Sequence, residues 1–286
     1  MKALTLTQLQ NLCDVAREAA VSAGQYIQSQ FDQEYKKGHK AGGDSLASQV
    51  VTAVDIKAQE IILEGLNKSI KNYDLGLLTE ESADDHSRSE KAYFWCIDPM
   101  DGTLPFTEHR SGYAVSIALI SQSGDPVVGV AYIPDLEACY TAIKGSGVYL
   151  NDQPFVREKP ADPTIHFYMD QSFLAETYVD TIKQQFETHY TRVRYHSDFG
   201  GVRNAIGVMS STRGCYFKLP RERKGCGSIW DYAATRLLME ELGLCVSTFG
   251  GDTLHLNRPS TTFMNETGIL YATDEELVAY IRGLKV

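Results

Sequence analysis

Three apolar segments between residues 113 and 144, "YAVSIALI", "PVVGVAYIP" and "ACYTAIK", follow one another across short links that contain "SGD" and "PDLE". Links of that length carry turn chemistry and join antiparallel neighbours, because a parallel pair needs a crossover of a dozen or more residues. A fourth segment, "AYFWCID" (92–98), precedes them, and "KGSGVYLNDQPF" (144–155) continues the pattern. Ahead of the sheet lie two segments of helical periodicity. Leu9, Leu12, Ala16, Ala20, Ala23, Ile27 and Phe31 mark one stripe, and Ile56, Ile62, Leu66 and Ile70 mark another. Residues 1–155 are therefore expected to form two helices packed on an antiparallel sheet.

Between those helices, "KKGHKAGGDSLASQ" reads as a loop and "VVTAVD" as a short extended run ending at Asp55. The polar stretch "VREKPADPT" (156–164) is the expected boundary of a second domain, 156–286. There, strand-like "IHFYMD", "RVRYHSD", "CYFKL", "LCVSTF" and "GILYAT" alternate with helical "SFLAETYVDTIKQQFETH", "GVRNAIGVMSS", "IWDYAATRLLMEELG" and "DEELVAYIRGL". That alternation indicates an α/β arrangement.

Composition narrows the function. With 37 acidic against 27 basic residues the net charge is -10, which disfavours a nucleic acid polymer as partner. No stretch approaches the roughly 18 apolar residues of a membrane span, and the amino terminus is unlike a secretory signal, so a soluble cytoplasmic protein is expected. Six cysteines lie far apart without a CxxC pair, and the seven histidines show no HxxxH spacing. Neither a zinc site nor a disulfide framework is expected.

What remains is acidic. "WCIDPMDGTLPF" (95–106) leads an apolar strand into Asp98 and Asp101, flanked by Pro99 and Gly102. Asp101-Gly102 alone fits an ordinary turn. Asp55 fits a helix N-cap, Glu80 and Glu81 fit solvated loop charge, and Asp231 after Trp230 fits an N-cap or first-turn acid. Asp98 tips the balance, since strand ends are common building points for sites. Two acids on one turn repel unless a cation lies between them, and hard Mg²⁺ takes carboxylate and carbonyl oxygens such as that of Met100. The backbone N–H groups of Gly102 and Thr103 then form a nest suited to phosphate.

These motifs resemble those of the inositol monophosphatase superfamily, which includes nucleotide bisphosphate phosphatases. "DPMDGT" resembles its DPxDGT signature, "LLTEES" its EE motif, "VVTAVD" its earlier aspartate motif, and "IWDYAATRLLMEELG" its WDxAA helix. "GYAVSIALI" and "GVYLNDQP" agree in order and approximate spacing. The resemblance implies a layered α/β/α/β/α sandwich and two or three Mg²⁺ ions. Glu80, Asp98, Asp101 and the Met100 carbonyl would hold one ion; Asp98, Asp101 and Asp231 would hold a second. Asp55 would orient Thr103, whose hydroxyl with Glu80 would position the attacking water, and the amides of Gly102 and Thr103 would hold the phosphate. A lithium-sensitive phosphomonoesterase acting on an inositol phosphate is the implied activity, in a family that often forms homodimers.

Two departures bear on substrate. Lys224 stands seven residues before Asp231, where inositol-specific members carry a glutamate, and Arg221 and Arg223 are close by. Basic residues there suit a second anionic group, as in 3′-phosphoadenosine 5′-phosphate, while a solvated basic loop fits equally well. Leu104-Pro105 replaces a polar or small pair, and His109 and Arg110 either reach substrate or cap their loop. The alternative of a different class is a degenerate metal- or ligand-binding regulatory member without turnover; the presence of every expected acid and of Thr103 counts against it.

Overall fold

A computed structural model describes residues 3–31, 53–157 and 162–286, together with the backbone of 38–39 and 50–51. Helix α1 spans Leu6–Gln30 and begins with a capping box between Thr5 and Gln8. A two-stranded ribbon, β1 (Gly38–His39) and β2 (Val50–Val51), leads to helix α2 (Ala53–Tyr73). Asp55 is thus in the first turn of α2, two residues past its start. The rest of the polar stretch at 36–49 lies outside the described residues.

The large sheet runs in the order β3 (Gly76–Thr79), β4 (Tyr93–Asp101), β5 (Ala114–Ser121), β6 (Pro126–Ile133), β7 (Ala138–Ile143), β8 (Val148–Leu150), β9 (Gln153–Pro154). All neighbours are antiparallel except β3 and β4, which are parallel because the chain crosses over through the short helix α3 (Ser87–Glu90). The second sheet has the order β11 (Val193–His196), β10 (Ile165–Tyr168), β12 (Arg213–Lys218), β14 (Ile269–Ala272), β13 (Cys245–Ser247). It is mixed: β10 is parallel to both β11 and β12, and β14 is antiparallel to its two neighbours. The remaining helices are α4 (Thr103–Thr107), α5 (Gln171–Leu174), α6 (Val179–His189), α7 (Gly201–Ser210), α8 (Ile229–Glu241) and α9 (Glu275–Arg282).

Three apolar cores make five layers. Trp95, Ile97, Val115 and Ile117 face α1 and α2 on one side of the large sheet. Phe94, Cys96, Ala118 and Ile120 face α7 and α8 on the other. Residues of α6 and α9, among them Phe186 and Ile281, cover the outer side of the second sheet. Burial on both faces explains why "YFWCI" reads as an unbroken apolar run rather than an alternation. Helices α7 and α8 belong to the second half of the sequence yet pack on the sheet of the first, so the middle core draws on both.

The contact of α8 with β6 is made at Gly129. A Cβ there would lie 2.8 Å from the Ala234 carbonyl oxygen, a backbone atom that cannot give way alone. Gly129→Val should therefore lift α8, and with it Asp231, from the sheet. Urea unfolding should show a loss of about 1–3 kcal/mol, the usual cost of overpacking.

Candidate active site

Asp98 and Asp101 are three apart, so a regular strand would send them to opposite faces. Strand β4 is not regular there. Asp98 opposes Ser116 and Asp101 opposes Ala114, so four residues of β4 face three of β5. This is a β-bulge, and it holds Pro99, which has no N–H to give to the ladder. The extra residue turns both carboxylates to one side. Asp98 Oδ1 accepts a hydrogen bond from the Met100 N–H (3.1 Å), which fixes the bend.

Asp231 reaches the same place from α8. It is the third residue of that helix, and its Oδ2 accepts from the Ser228 N–H (2.5 Å) as part of a capping box. Ligand oxygens of Asp98, Asp101 and Asp231 lie within 4.8 Å of one another, the one such acidic group among the described residues. Glu80, just beyond β3, lines the same cavity with Met100, Gly102 and Thr103. Behind that wall, Thr103 Oγ1 lies 3.0 Å from Asp55 Oδ1 and 3.1 Å from the Met100 carbonyl oxygen, so the buried Asp55 steers the hydroxyl. Gly102 precedes α4 with φ +86°, and a Cβ on it would lie 2.5 Å from the Gly112 carbonyl oxygen. Both backbone angle and space require glycine there.

The acids strain each other. Burial raises the Asp98 and Asp101 carboxyl pKa values well above the usual range, and the neighbouring acids raise them further. Asp231 is pushed up to about 6, by burial first and then by Glu80. Asp101 is partly relieved: its Oδ1 accepts from Gly201 N–H (2.9 Å) and its Oδ2 from Val202 N–H (2.7 Å), at the start of α7. Asp98 Oδ2 is enclosed and has no donor at all within hydrogen-bond reach. An enclosed carboxylate oxygen without a donor, facing further acids, is chemistry that a hard divalent cation satisfies.

Other expected residues are placed differently. Arg223 and Arg221 both pair with Glu176, and Lys224 is exposed with its Nζ 5.8 Å from the Phe263 ring. Phe263 lines the cavity, whereas neither Arg223 nor Lys224 does. The cation that does line it is Lys218, at the end of β12, paired with Asp170 and buried. Asp170 Oδ2 also accepts from Tyr216 Oη (3.0 Å). Counting back seven residues from Asp231 missed Lys218; its position at the end of "CYFKL" was the available signal. Also unforeseen was Gly200, where a Cβ would lie 2.4 Å from Asp101 Oδ2. Leu104 and Pro105 line the cavity, while Phe106 packs on Phe31 and Tyr113. His109 Nδ1 lies 2.8 Å from the Phe31 carbonyl oxygen, and Arg110 pairs with Glu108 and Asp198, so both fasten their loop.

Residues 8–284 match the Inositol monophosphatase family. The chain belongs to that family. It is 28% identical over 262 residues to the 3′(2′),5′-bisphosphate nucleotidase CysQ of Salmonella typhimurium, covering 90% of this chain and 96% of that protein. It is 30% identical over 269 residues to an inositol-1-monophosphatase of Mesorhizobium japonicum, covering 89% and 92%. Among solved structures, the extragenic suppressor protein SuhB of Bartonella henselae superposes with a TM-score of 0.75 at 24% identity, covering 96% and 98%. Members of the inositol monophosphatase family are metal-dependent phosphatases, and the five-layer fold is theirs. No helix among the described residues is long and apolar enough to cross a membrane.

Raised carboxylate pKa values have a defined consequence for stability. The folded state holds these protons more tightly than the unfolded chain, so the three acids cost stability as pH rises through the usual carboxylate range and past about 6. A bound cation removes that cost and competes with the protons. Adding a divalent cation to EDTA-treated protein should therefore raise Tm more at pH 8 than at pH 5. A rise independent of pH would contradict this account of the acids.

Proposed function

We propose that this protein is a Mg²⁺-dependent phosphomonoesterase acting on a small phosphorylated metabolite. The observation that carries the reading is the convergence of Asp98, Asp101 and Asp231 on one point, with Asp98 Oδ2 enclosed and undonated. In this reading Glu80, Asp98, Asp101, Asp231 and the Met100 carbonyl hold two or three ions. Mg²⁺ bound there supplies positive charge against the phosphate and lowers the pKa of water. Thr103, steered by Asp55, holds the attacking water together with Glu80, and the amides of Gly102 and Thr103 receive the phosphate oxygens. The first N–H groups of a helix lack acceptors within it, so the start of α4 suits that task. Residues 1–155 and 156–286 are read as two domains that share this one site, because Asp231 comes from the second. Inhibition by lithium belongs to the same proposal.

An inositol phosphate is the family's first expectation for substrate. A second reading, a nucleotide carrying another phosphate such as 3′-phosphoadenosine 5′-phosphate, is favoured by Lys218. Its ammonium lines the cavity, and one cation there complements an anionic group that a neutral polyol lacks. The resemblance to a bisphosphate nucleotidase points the same way.

Phosphate release from inositol phosphates, sugar phosphates and adenosine bisphosphate, with and without Mg²⁺ and lithium, tests the main reading. Asp98→Asn and Asp231→Asn should each lower kcat/KM by a factor on the order of 100 or more, as loss of a charged metal ligand removes the ion's contribution. Metal-independent turnover that survives both changes would end the assignment. No turnover on any phosphate ester would favour the regulatory, non-catalytic member.

Lys218→Met tests the second reading. KM for the bisphosphate should rise about tenfold or more, the scale of one charge-assisted contact, with KM for a monophosphate nearly unchanged. The variant should also lose some stability, since Asp170 keeps only its neutral donors. Equal changes in KM for the two esters would remove Lys218 from substrate recognition.

A further inference from the structure

The cavity is not lined by charged groups alone. Three stretches beside the acids contribute apolar side chains to its lining. Leu104 and Pro105 follow Thr103, Trp230 precedes Asp231, and Phe199 precedes Gly200, the residue packed against the Asp101 carboxylate. Phe263 adds a further aromatic side chain, while Asp170, Gln171, Ser172, Asp198 and Lys218 are polar parts of the same lining.

Phe199 is the best fixed of the apolar side chains. The Arg203 guanidinium lies over its ring at 5.0 Å from the centroid. Arg203 is itself held by Asp135 at 2.7 Å, in a pair that is 10% and 20% exposed. The loop behind the ring is equally tight: a Cβ on Gly112 would lie 3.1 Å from Phe199 Cα. The ring also packs on the middle core between the sheets. Phe199 is half-buried, and the part of it that is not packed lines the cavity. A ring held this firmly loses little freedom when a ligand settles on it, and that favours binding. Phe263 repeats the arrangement, with Lys224 Nζ 5.8 Å from its centroid.

An inositol or glycerol leaving group is ringed by hydroxyls and offers phenyl and indole surfaces only its C–H groups, a smaller contact than a flat ring makes. A planar heterocycle gains stacking and apolar burial on them. We propose that Phe199 is a specificity-determining residue, a stacking platform that selects phosphate monoesters whose leaving group carries a planar aromatic ring, as a nucleoside does. The proposal rests on the phosphomonoesterase reading and adds to it the class of leaving group. It is independent of Lys218, which concerns a second anionic group rather than a ring.

Two esters of secondary alcohols, adenosine 3′-phosphate and glycerol 2-phosphate, present the same bond to the acids and differ in the ring. In Phe199→Ala, KM for adenosine 3′-phosphate should rise about tenfold, the scale of one lost base–aromatic stack. KM for glycerol 2-phosphate and both kcat values should stay close to those of the unaltered protein, while Tm falls because the ring's packing on the core and under Arg203 is lost. Phe199→Trp should restore the adenosine KM, which a purely structural role for the position would not predict. Equal KM changes for the two esters, or no change for either, would overturn the proposal. Release of phosphate from neither ester by the unaltered protein would count against the phosphomonoesterase reading instead. In that case quenching of Trp230 fluorescence by adenosine decides the platform by itself: it should be lost in Phe199→Ala, and its persistence there overturns the proposal.

Discussion

Mutual repulsion among buried carboxylates is the constraint around which this fold is arranged. Asp98, Asp101 and Asp231 lie within 4.8 Å of one another, and no stable chain would gather them without devices to hold them. Three backbone features do so. The bulge at Pro99 turns Asp98 and Asp101 to the same side of β4. The first N–H groups of α7 grip both oxygens of Asp101. The capping box at Ser228 fixes Asp231 at the first turn of α8. Each device spends ordinary backbone hydrogen bonding on aiming an acid, and each leaves the acids facing one another. Stability is given up at the site, as is common where function requires strain.

Such an arrangement needs a rigid surround, and the five layers provide it. Strand β4 is buried on both faces, with Trp95 tied to α2 through Ser69 (3.1 Å) and Phe94 against the middle helices. Helices α7 and α8, which carry the Asp101 grip and Asp231, are pressed between the two sheets. The close approach of α8 to β6 at Gly129 sets how deeply Asp231 enters the cavity. Core packing and site geometry are therefore one problem here: a shift of the middle layer moves a ligand.

Much of this could be read from the residues. Helices, strands and their order followed from periodicity and turn signals, and the acids at 80, 98, 101 and 231 stood out by their context. The motifs identified the family. Less legible were the details set by distant contacts. The parallel entry of β3 was hidden because a crossover in the 80–92 stretch leaves no periodic trace. Asp55 was expected at a helix cap, yet it lies inside the first turn, and its hydrogen bond with Thr103, which the resemblance implied, joins segments that no local pattern links. Basic residues counted by spacing from Asp231 proved to be paired with Glu176 or exposed over Phe263, while Lys218 entered the cavity from the end of a strand.

The sequence by itself determined the helices and strands and the supply of acids, because apolar periodicity and turn chemistry are local properties of the chain. Which side of a strand each acid faces, and what stands opposite, only the tertiary structure decided. A spacing of three between Asp98 and Asp101 predicts opposite faces until a bulge adds a residue. Nothing near Asp101 in sequence announces that the start of α7, a hundred residues later, will hold its carboxylate. The apolar part of the cavity lining is likewise assembled from residues 104 to 263, brought together by the packing of two sheets on shared helices. Convergence is a long-range property, fixed by how the layers stack rather than by any segment within them.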